Sequence, residues 1–203
     1  MPNVPPTQSN ALAESYTSKS LDRKVRNKTE LQKRLKWTQE PRRPMLCLPG
    51  GMTEALGGAL LEEVLPGLLS LPIEILILGK GSKRYGELFT QLAKEHKHRI
   101  AIIPESDKTL VENMYAAADM AIFFTDPSAQ KELKTCLQYG VIPIAPRTSA
   151  LEPYDPVQES GMSFDYDQLT MWQCFGAVVR ALETHKFPFD WRTIQRHCME
   201  SVE

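Results

Sequence analysis

Polar side chains follow two of the apolar segments of this chain, and their types suit the binding of a phosphorylated sugar. Asp126 comes after the apolar segment 120–124, and Ser128 and Ala129 stand at the expected start of the next helix. A carboxylate there can accept hydrogen bonds from sugar hydroxyls. The backbone N–H groups of a helix N-terminus, here those of Ser128 and Ala129, can bind a phosphate. An ordinary helix N-cap formed by Asp126 or Ser128 explains the same residues, and composition alone favours the cap.

A second group of candidates is a glycine pair, Gly79 and Gly81, where an apolar segment gives way to a helical pattern. Glycines at such a point let the backbone approach a phosphate. The third glycine of a dinucleotide-binding fingerprint is missing. A plain tight turn between strand and helix is therefore the simpler interpretation of this pair.

Arg147, Thr148 and Ser149 follow the apolar segment 141–145. Arg147 can pair with a phosphate or a carboxylate, and an exposed arginine without a ligand is an equally good interpretation. The four histidines and four cysteines show no metal-ligand spacing, so we predict no metal site. No Ser/His/Asp or Cys/His arrangement can be assembled, so no residue is assigned as catalytic.

The elements that must position these residues alternate along the chain. Five apolar segments are predicted strands, and helical patterns separate each from the next; they are 45–48, 73–78, 100–103, 120–124 and 141–145. Such alternation predicts an α/β fold with a Rossmann-like parallel sheet sandwiched by helices. Ligands of such sheets bind beyond the carboxyl ends of the strands. We further predict helices over 128–139, 168–182 and 191–199, with 146–164 as a connection.

The chain divides into three parts by composition. Residues 1–20 are polar and proline-rich, so we expect a disordered extension. We predict that residues 21–44 form a basic helical segment that leads into the domain. The stretch 19–43 holds ten Lys/Arg and three Asp/Glu, and a helix is expected over 27–37. A solvated connecting helix is favoured there over a nucleic-acid-binding arm, since aromatic residues do not alternate with the charges. Residues 45–203 form the Rossmann-like domain with its C-terminal helices.

Composition narrows the class of protein. A net charge of −1 with 42% hydrophobic residues is ordinary for a globular domain. No apolar run approaches the roughly 20 residues that span a bilayer, and the first residues lack a secretory signal. The cysteines have the character of reduced core residues. These features predict a cytoplasmic protein without a membrane partner.

Five segments, taken in order, resemble the C-terminal domain of bacterial glycogen and starch synthases. NKTELQKRL (27–35) resembles the family's NK-x-x-LQ-x-x-L, LGKGS (78–82) its LGTGD, and MYAAAD (114–119) its IYAGAD. LQYGVIPIAPRTSAL (137–151) resembles LRYGTLPVVRRTGGL, and WRTIQRHCM (191–199) resembles WRALQRNAM. The resemblance implies one half, the C-terminal half, of a GT-B glycosyltransferase that uses ADP-glucose as donor and α-1,4-glucan as acceptor. It implies no cofactor.

The same resemblance implies that the donor site has degenerated. The family's SR-x-TEQKG corresponds to GGMTEALG (50–57), so Gly51 and Leu56 stand where an arginine and a lysine would bind the donor phosphates. DPSAQKE (126–132) stands for EPCGLTQ, with Asp126 near the family's glutamate and Ala129 in place of a glycine. Ser106 falls where a tyrosine usually stacks on the nucleotide. The resemblance implies that the candidate nucleotide-sugar-binding residues are Gly79, Gly81, Asp126, Ser128, Ala129, Arg147, Thr148 and Ser149.

Two functions are consistent with these observations. The first is a glycosyltransferase domain of this lineage, inactive or incomplete as an isolated chain, that works with a separately encoded N-terminal synthase domain. The second is a non-catalytic glucan-binding, regulatory or subunit-like module that pairs with another protein or with itself. The altered donor positions favour the second function for the isolated chain, and nucleic acid is ranked last as a partner.

Overall fold

The computed structural model describes residues 5–202, and its centre is a six-stranded parallel sheet. The strands are β1 (Met45–Leu48), β2 (Glu74–Gly79), β3 (Ile100–Pro104), β4 (Met120–Ile122), β5 (Ile142–Pro146) and β6 (Phe164–Tyr166). Their order across the sheet is β3-β2-β1-β4-β5-β6, and every neighbouring pair is parallel. The order reverses between β1 and β4, which makes the crevice beside these two strands the expected ligand site. The predicted Rossmann-like sheet is confirmed.

Continuous apolar sequence explains why the strands lie inside. In β2 the residues from Glu74 to Leu78 are all buried, as expected of a strand covered on both faces. The sixth strand, β6, begins at Phe164, the last residue of the segment 146–164 that we predicted as a connection. Its three residues, Phe-Asp-Tyr at the sheet edge, include a charged side chain and form no apolar segment that the sequence could reveal.

Seven α-helices of residues 5–202 flank the sheet: α1 (Lys24–Arg34), α2 (Gly58–Ser70), α3 (Lys83–Glu95), α4 (Lys108–Ala117), α5 (Lys131–Gln138), α6 (Met171–His185) and α7 (Pro188–Glu200). Side-chain caps begin several of them. Asp107 accepts a hydrogen bond from Leu110 N at 2.9 Å before α4, and Thr170 accepts one from Gln173 N at 3.4 Å before α6. Thr53 caps the 3-10 turn that leads into α2.

The segment 5–20 packs against the domain, which differs from the expected disorder. Tyr16 is 1% exposed, and its hydroxyl donates a hydrogen bond to the carbonyl oxygen of Tyr139 at 2.9 Å. Ser9 bonds Glu112 of α4, and the side-chain oxygen of Asn27 accepts from Glu14 N at 3.1 Å. A few anchoring side chains hold a segment whose composition is otherwise polar. Residues 1–4 of the predicted extension lie outside the described residues.

The basic lead-in forms α1, but part of its charge is buried rather than solvated. The Lys24 ammonium donates to the carbonyl oxygens of Tyr115 and Ala116, at 3.0 and 2.9 Å, where α4 ends. The Lys28 ammonium lies 2.5 Å from a carboxylate oxygen of Asp119. Burial lowers the pKa of Lys24 to about 7. The expectation of a solvated helix is therefore wrong for these two lysines, because the unsatisfied carbonyls of α4 and the buried carboxylate need donors.

Buried polar pairs lie at the end of the sheet where the strands begin. Asp119 accepts a hydrogen bond from Met45 N at 2.8 Å and lies 3.6 Å from His185 Nε2. Gln32 donates to both carboxylate oxygens of Glu74, at 3.1 and 2.8 Å. Burial raises the pKa of Glu74 to about 7.

None of the helices in the described residues is long and apolar enough to cross a membrane.

Candidate functional site

The crevice at the switch point of the sheet is almost filled. It lies between the loop after β1, residues 49–52, and the loop after β4, residues 123–125, and its volume is about 20 Å³. Its walls are Gly50, Gly51, Met52, Leu56, Ile122, Phe123, Phe124, Thr125 and Gln130. A small-molecule site usually has a volume of roughly 300–1,000 Å³. In this conformation the crevice has no room for a nucleotide.

Backbone bonds between two loops close one side of the crevice. Met52 N donates to Lys80 O at 3.2 Å, and Ser82 N donates to Met52 O at 3.0 Å. Gly51 and Gly81 have φ angles of +64° and +122°, which suit glycine. A Cβ at Gly51 would lie 2.0 Å from the Lys80 carbonyl oxygen, and one at Gly81 would lie 1.9 Å from Met52 O. The glycines thus allow two loops to touch, and Gly79 stands next to this contact at the end of β2.

The structure brings Asp126, Ser128 and Thr148 together at the carboxyl ends of β4 and β5. One carboxylate oxygen of Asp126 accepts hydrogen bonds from Ser128 N at 2.9 Å and from the Ser128 hydroxyl. The Ser128 and Thr148 hydroxyls are 2.7 Å apart. The Ser128 hydroxyl and N–H, together with the Thr148 hydroxyl, lower the pKa of Asp126. The carboxylate is ionised and exposed, and local donors occupy one of its oxygens.

The helix behind this cluster starts later than the sequence predicts. We expected a helix over 128–139, but α5 begins at Lys131, and its N-cap residue, Gln130, makes no side-chain capping bond to the helix. Gln130 N donates to Pro127 O at 2.8 Å, so residues 127–130 form a turn. The Asp126–Ser128 bond favours that turn over a helix. Ala129 and Ser149 are both exposed, and Ala129 precedes the helix instead of supplying its first N–H.

Arg147 points its charge away from the Asp126 cluster. Its Nε lies 2.5 Å from Asp165 Oδ2, and its Nη1 lies 3.0 Å from Asp167 Oδ1. These carboxylates raise the pKa of the Arg147 guanidinium, and its hydrogen bond to Asp165 is the main cause. The arginine therefore belongs to a group around β6 and is already paired with acidic residues.

Lys80 is a cation near the crevice that the sequence analysis did not single out. Its ammonium lies 3.4 Å from Glu132 Oε1 in the first turn of α5. The lysine is about half exposed, at 46%, whereas Glu132 is mostly buried, at 11%. The only signal in the sequence was its position between the two glycines, Gly79 and Gly81. Like Arg147, Lys80 is neutralised by a carboxylate.

Gly51 and Leu56, which stand where the resemblance implies an arginine and a lysine, provide no positive charge at the crevice. Gly51 is buried against Lys80 O, and Leu56 is partly buried against the hydrophobic core. Ser106 is exposed after β3. Within residues 5–202, no three histidine, cysteine, aspartate or glutamate side chains are grouped so that they could hold a metal ion. The crevice is thus narrow, apolar and without a free cation in its walls.

A cleft far larger than this crevice lies at the opposite end of the sheet, where the strands begin. Its volume is about 880 Å³, and α1, α6 and the start of α7 line it together with the Lys28–Asp119 pair. None of the candidate nucleotide-sugar-binding residues borders it. A third cleft, of about 420 Å³, lies beside β6 and α6 and includes Arg147.

Comparison with solved structures identifies the class of fold. The catalytic domain of starch synthase IV from Arabidopsis thaliana, solved with ADP and acarbose, superposes with a TM-score of 0.83 at 21% identity, over 96% of this chain and 42% of that one. The C-terminal domain of a group 1 glycosyltransferase from Francisella tularensis gives 0.59 at 12% identity, over 86% of this chain and 90% of that one. The fold is that of the Rossmann-like C-terminal domain of a GT-B glycosyltransferase.

Sequence relatives narrow the class to one lineage. Glycogen synthase 1 of Synechocystis sp. is 27% identical over 97% of this chain, and the glycogen synthase of Clostridium beijerinckii is 29% identical over 94%. The chain spans 42% and 41% of the lengths of these two relatives. It matches no protein-family profile. The resemblance of this chain to glycogen and starch synthases is confirmed.

Proposed function

We propose that this chain is the donor-side domain of a glycosyltransferase of the glycogen and starch synthase lineage, and that it transfers no glucose by itself. The observation that carries the proposal is the crevice at the β1/β4 switch point. It lies at the switch point, where open α/β sheets bind their ligands, yet its volume is about 20 Å³ and the Met52–Lys80 contact closes one side of it. Access for a donor therefore requires the loop 49–52 to separate from the loop 79–82.

The donor we propose is ADP-glucose, because the relatives are glycogen synthases and the matched starch synthase was solved with ADP. Asp126 is the carboxylate best placed for a sugar hydroxyl, since it is exposed and keeps one oxygen free of the Ser128 bonds. Thr148 and Ser149 would line the diphosphate. Lys80, released from Glu132, would replace part of the positive charge that is absent at Gly51 and Leu56.

The partner we propose is an acceptor-side domain, supplied by a separate chain or by further sequence, with an α-glucan as acceptor. Its support is that the relatives are more than twice as long as this chain. A cytoplasmic location belongs to the same proposal, because the four cysteines are all free and buried.

The test combines this chain with the N-terminal domain of the Synechocystis glycogen synthase 1. Transfer of labelled glucose from ADP-glucose to glycogen is measured with each protein alone and with the mixture, and thermal unfolding is followed with ADP. We expect no transfer by either protein alone, transfer and a raised melting temperature in the mixture, and the loss of transfer in Asp126→Ala.

Two outcomes would contradict parts of this proposal. Transfer by the 203-residue chain alone would show that the domain is complete. If the mixture neither transfers glucose nor responds to ADP, the enzymatic proposal fails and the non-catalytic module remains. That second function is favoured by the closed crevice and by the neutralised Lys80 and Arg147.

A further inference from the structure

An exposed tryptophan stands at the edge of the sheet that bears β6. Trp172, in the first turn of α6, is 74% exposed, whereas Trp37 and Trp191 are 6% and 5% exposed. A large aromatic side chain is usually buried for most of its surface, so an indole in solvent is a candidate contact for a ligand. The indole borders the cleft of about 420 Å³ beside β6.

The floor of this cleft is an open stretch of helix α6. Trp172, Gly176 and Arg180 follow at intervals of four residues, so they lie on one helix face. A Cβ added at Gly176 would meet no atom within 4 Å. Glycine inside a helix destabilises it by roughly 0.5–1 kcal/mol relative to alanine, and packing does not require a glycine here. Its effect is a flat, empty floor next to the indole.

The walls of the cleft are polar and balanced in charge. Two arginines and two aspartates surround it, and Arg147 lies within hydrogen-bond distance of both Asp165 and Asp167. Arg180 donates to the carbonyl oxygen of Asp165. These bonds fix the side chains, while a guanidinium and a carboxylate each retain further donor or acceptor positions. Because the charges cancel, the cleft favours a neutral ligand over an anion or a cation.

Gln173 adds a directed donor to the same wall. Its side-chain oxygen accepts hydrogen bonds from Asp167 N at 3.1 Å and Gln168 N at 3.2 Å. The amide is thereby oriented, and its nitrogen is left to donate to a ligand. An apolar protein partner would bury these polar groups at a cost. A chain of hydroxyl groups can pair with every one of them.

We propose that the face formed by Trp172, Gly176 and Arg180, with Arg147, Asp167 and Gln173 around it, binds a neutral oligosaccharide. One sugar ring packs its apolar face on the Trp172 indole, and the hydroxyls of the next ring bond the arginine, aspartate and glutamine side chains across the glycine floor. This surface lies beside Thr148 but does not use the donor crevice. The proposal rests on the proposed function only for the choice of glucan as the probe.

The experiment measures the binding of maltoheptaose by calorimetry and the retardation of the chain in gels that contain glycogen, with the full 203-residue chain. We expect Trp172→Ala to weaken binding about tenfold or more, as for the loss of an aromatic anchor. Gly176→Leu places a side chain over the floor at a position where a Cβ meets no atom within 4 Å. We therefore expect it to fold at least as stably as the wild type while it also binds about tenfold more weakly. Phe189→Ala, which removes an aromatic of 69% exposure on α7, is the matched control and keeps wild-type affinity.

Three results would overturn this proposal: no binding of maltoheptaose or glycogen by the wild type, wild-type affinity in Trp172→Ala, or an equal loss in Phe189→Ala. Each is independent of glucose transfer, because no donor or acceptor-side domain is present in these measurements. Failure of the oligosaccharide surface and failure of the proposed transferase function are therefore distinguishable.

Discussion

The contact between the loops 49–52 and 79–82 depends on a glycine, and replacing it gives a quantitative test. In Gly51→Ala the φ of +64° places a Cβ 2.0 Å from the Lys80 carbonyl oxygen. The left-handed conformation costs a non-glycine residue roughly 1–2 kcal/mol. The clash also forces the loops apart, which removes two backbone hydrogen bonds worth about 1 kcal/mol each. We expect the free energy of unfolding to fall by about 2–3 kcal/mol, allowing for the less flexible unfolded chain.

Gly86→Ala provides the matched control for this measurement. Gly86 lies inside α3, and a Cβ there would meet no atom within 4 Å. Alanine is favoured over glycine in a helix by roughly 0.5–1 kcal/mol, so this variant should unfold at a higher urea concentration. Urea unfolding followed by far-ultraviolet circular dichroism compares the two variants with the wild type. If Gly51→Ala matched the wild type within about 0.5 kcal/mol, the loops would not be closed as described.

Further predictions concern the buried charges and the donor positions. Asp119→Ala leaves the Lys28 ammonium without its carboxylate, so urea unfolding should show that the free energy of unfolding falls by about 3–5 kcal/mol. Lys186→Ala, which removes the exposed pair with Glu183, should lower it by less than about 1 kcal/mol. The folded pKa of Glu74, about 7, lies above its unfolded value. The folded state therefore holds the proton more tightly, and the free energy of unfolding should fall by roughly 2–3 kcal/mol as the pH rises from about 4.5 to about 7. The thermal unfolding of Glu74→Gln should lose that pH dependence. If the variant kept the pH dependence of the wild type, Glu74 would not be its source. Gly51→Arg, which restores the cation implied by the resemblance, should be destabilised like Gly51→Ala and should not gain ADP binding in a thermal-shift assay.

The sheet was predictable from the sequence because five of its strands lie in continuous apolar segments separated by helical patterns. β2, for example, is buried along its apolar length and needs no tertiary information to be recognised. β6 escaped prediction because its sequence, Phe-Asp-Tyr, places a charged residue between two aromatics and is not part of an apolar segment. The packing of the segment 5–20 was also missed, since one buried tyrosine, Tyr16, anchors a polar stretch that composition alone assigns to disorder.

The candidate site was predictable in part. Asp126, Ser128 and Thr148 were expected at the carboxyl ends of two strands that turned out to be neighbours, so their contact follows from the topology. Side-chain pairing decided the rest. Arg147 pairs with Asp165 and Asp167. Asp165 lies in β6 and Asp167 directly follows it, and the sequence did not reveal this strand. The binding roles of Gly79, Gly81, Ala129 and Ser149 remain predictions.

The position of Tyr16 determines where this domain can be cut. Its hydroxyl holds the Tyr139 carbonyl, and its ring lies 5.5 Å from the Lys24 ammonium, which in turn holds the end of α4. A truncated protein that started at the first residue of α1 would open this tyrosine site to water and uncover a lysine held in a low-dielectric environment. The smallest stable fragment of the chain therefore includes Tyr16, and the boundary for expression or proteolysis lies before it, not at the start of the first helix.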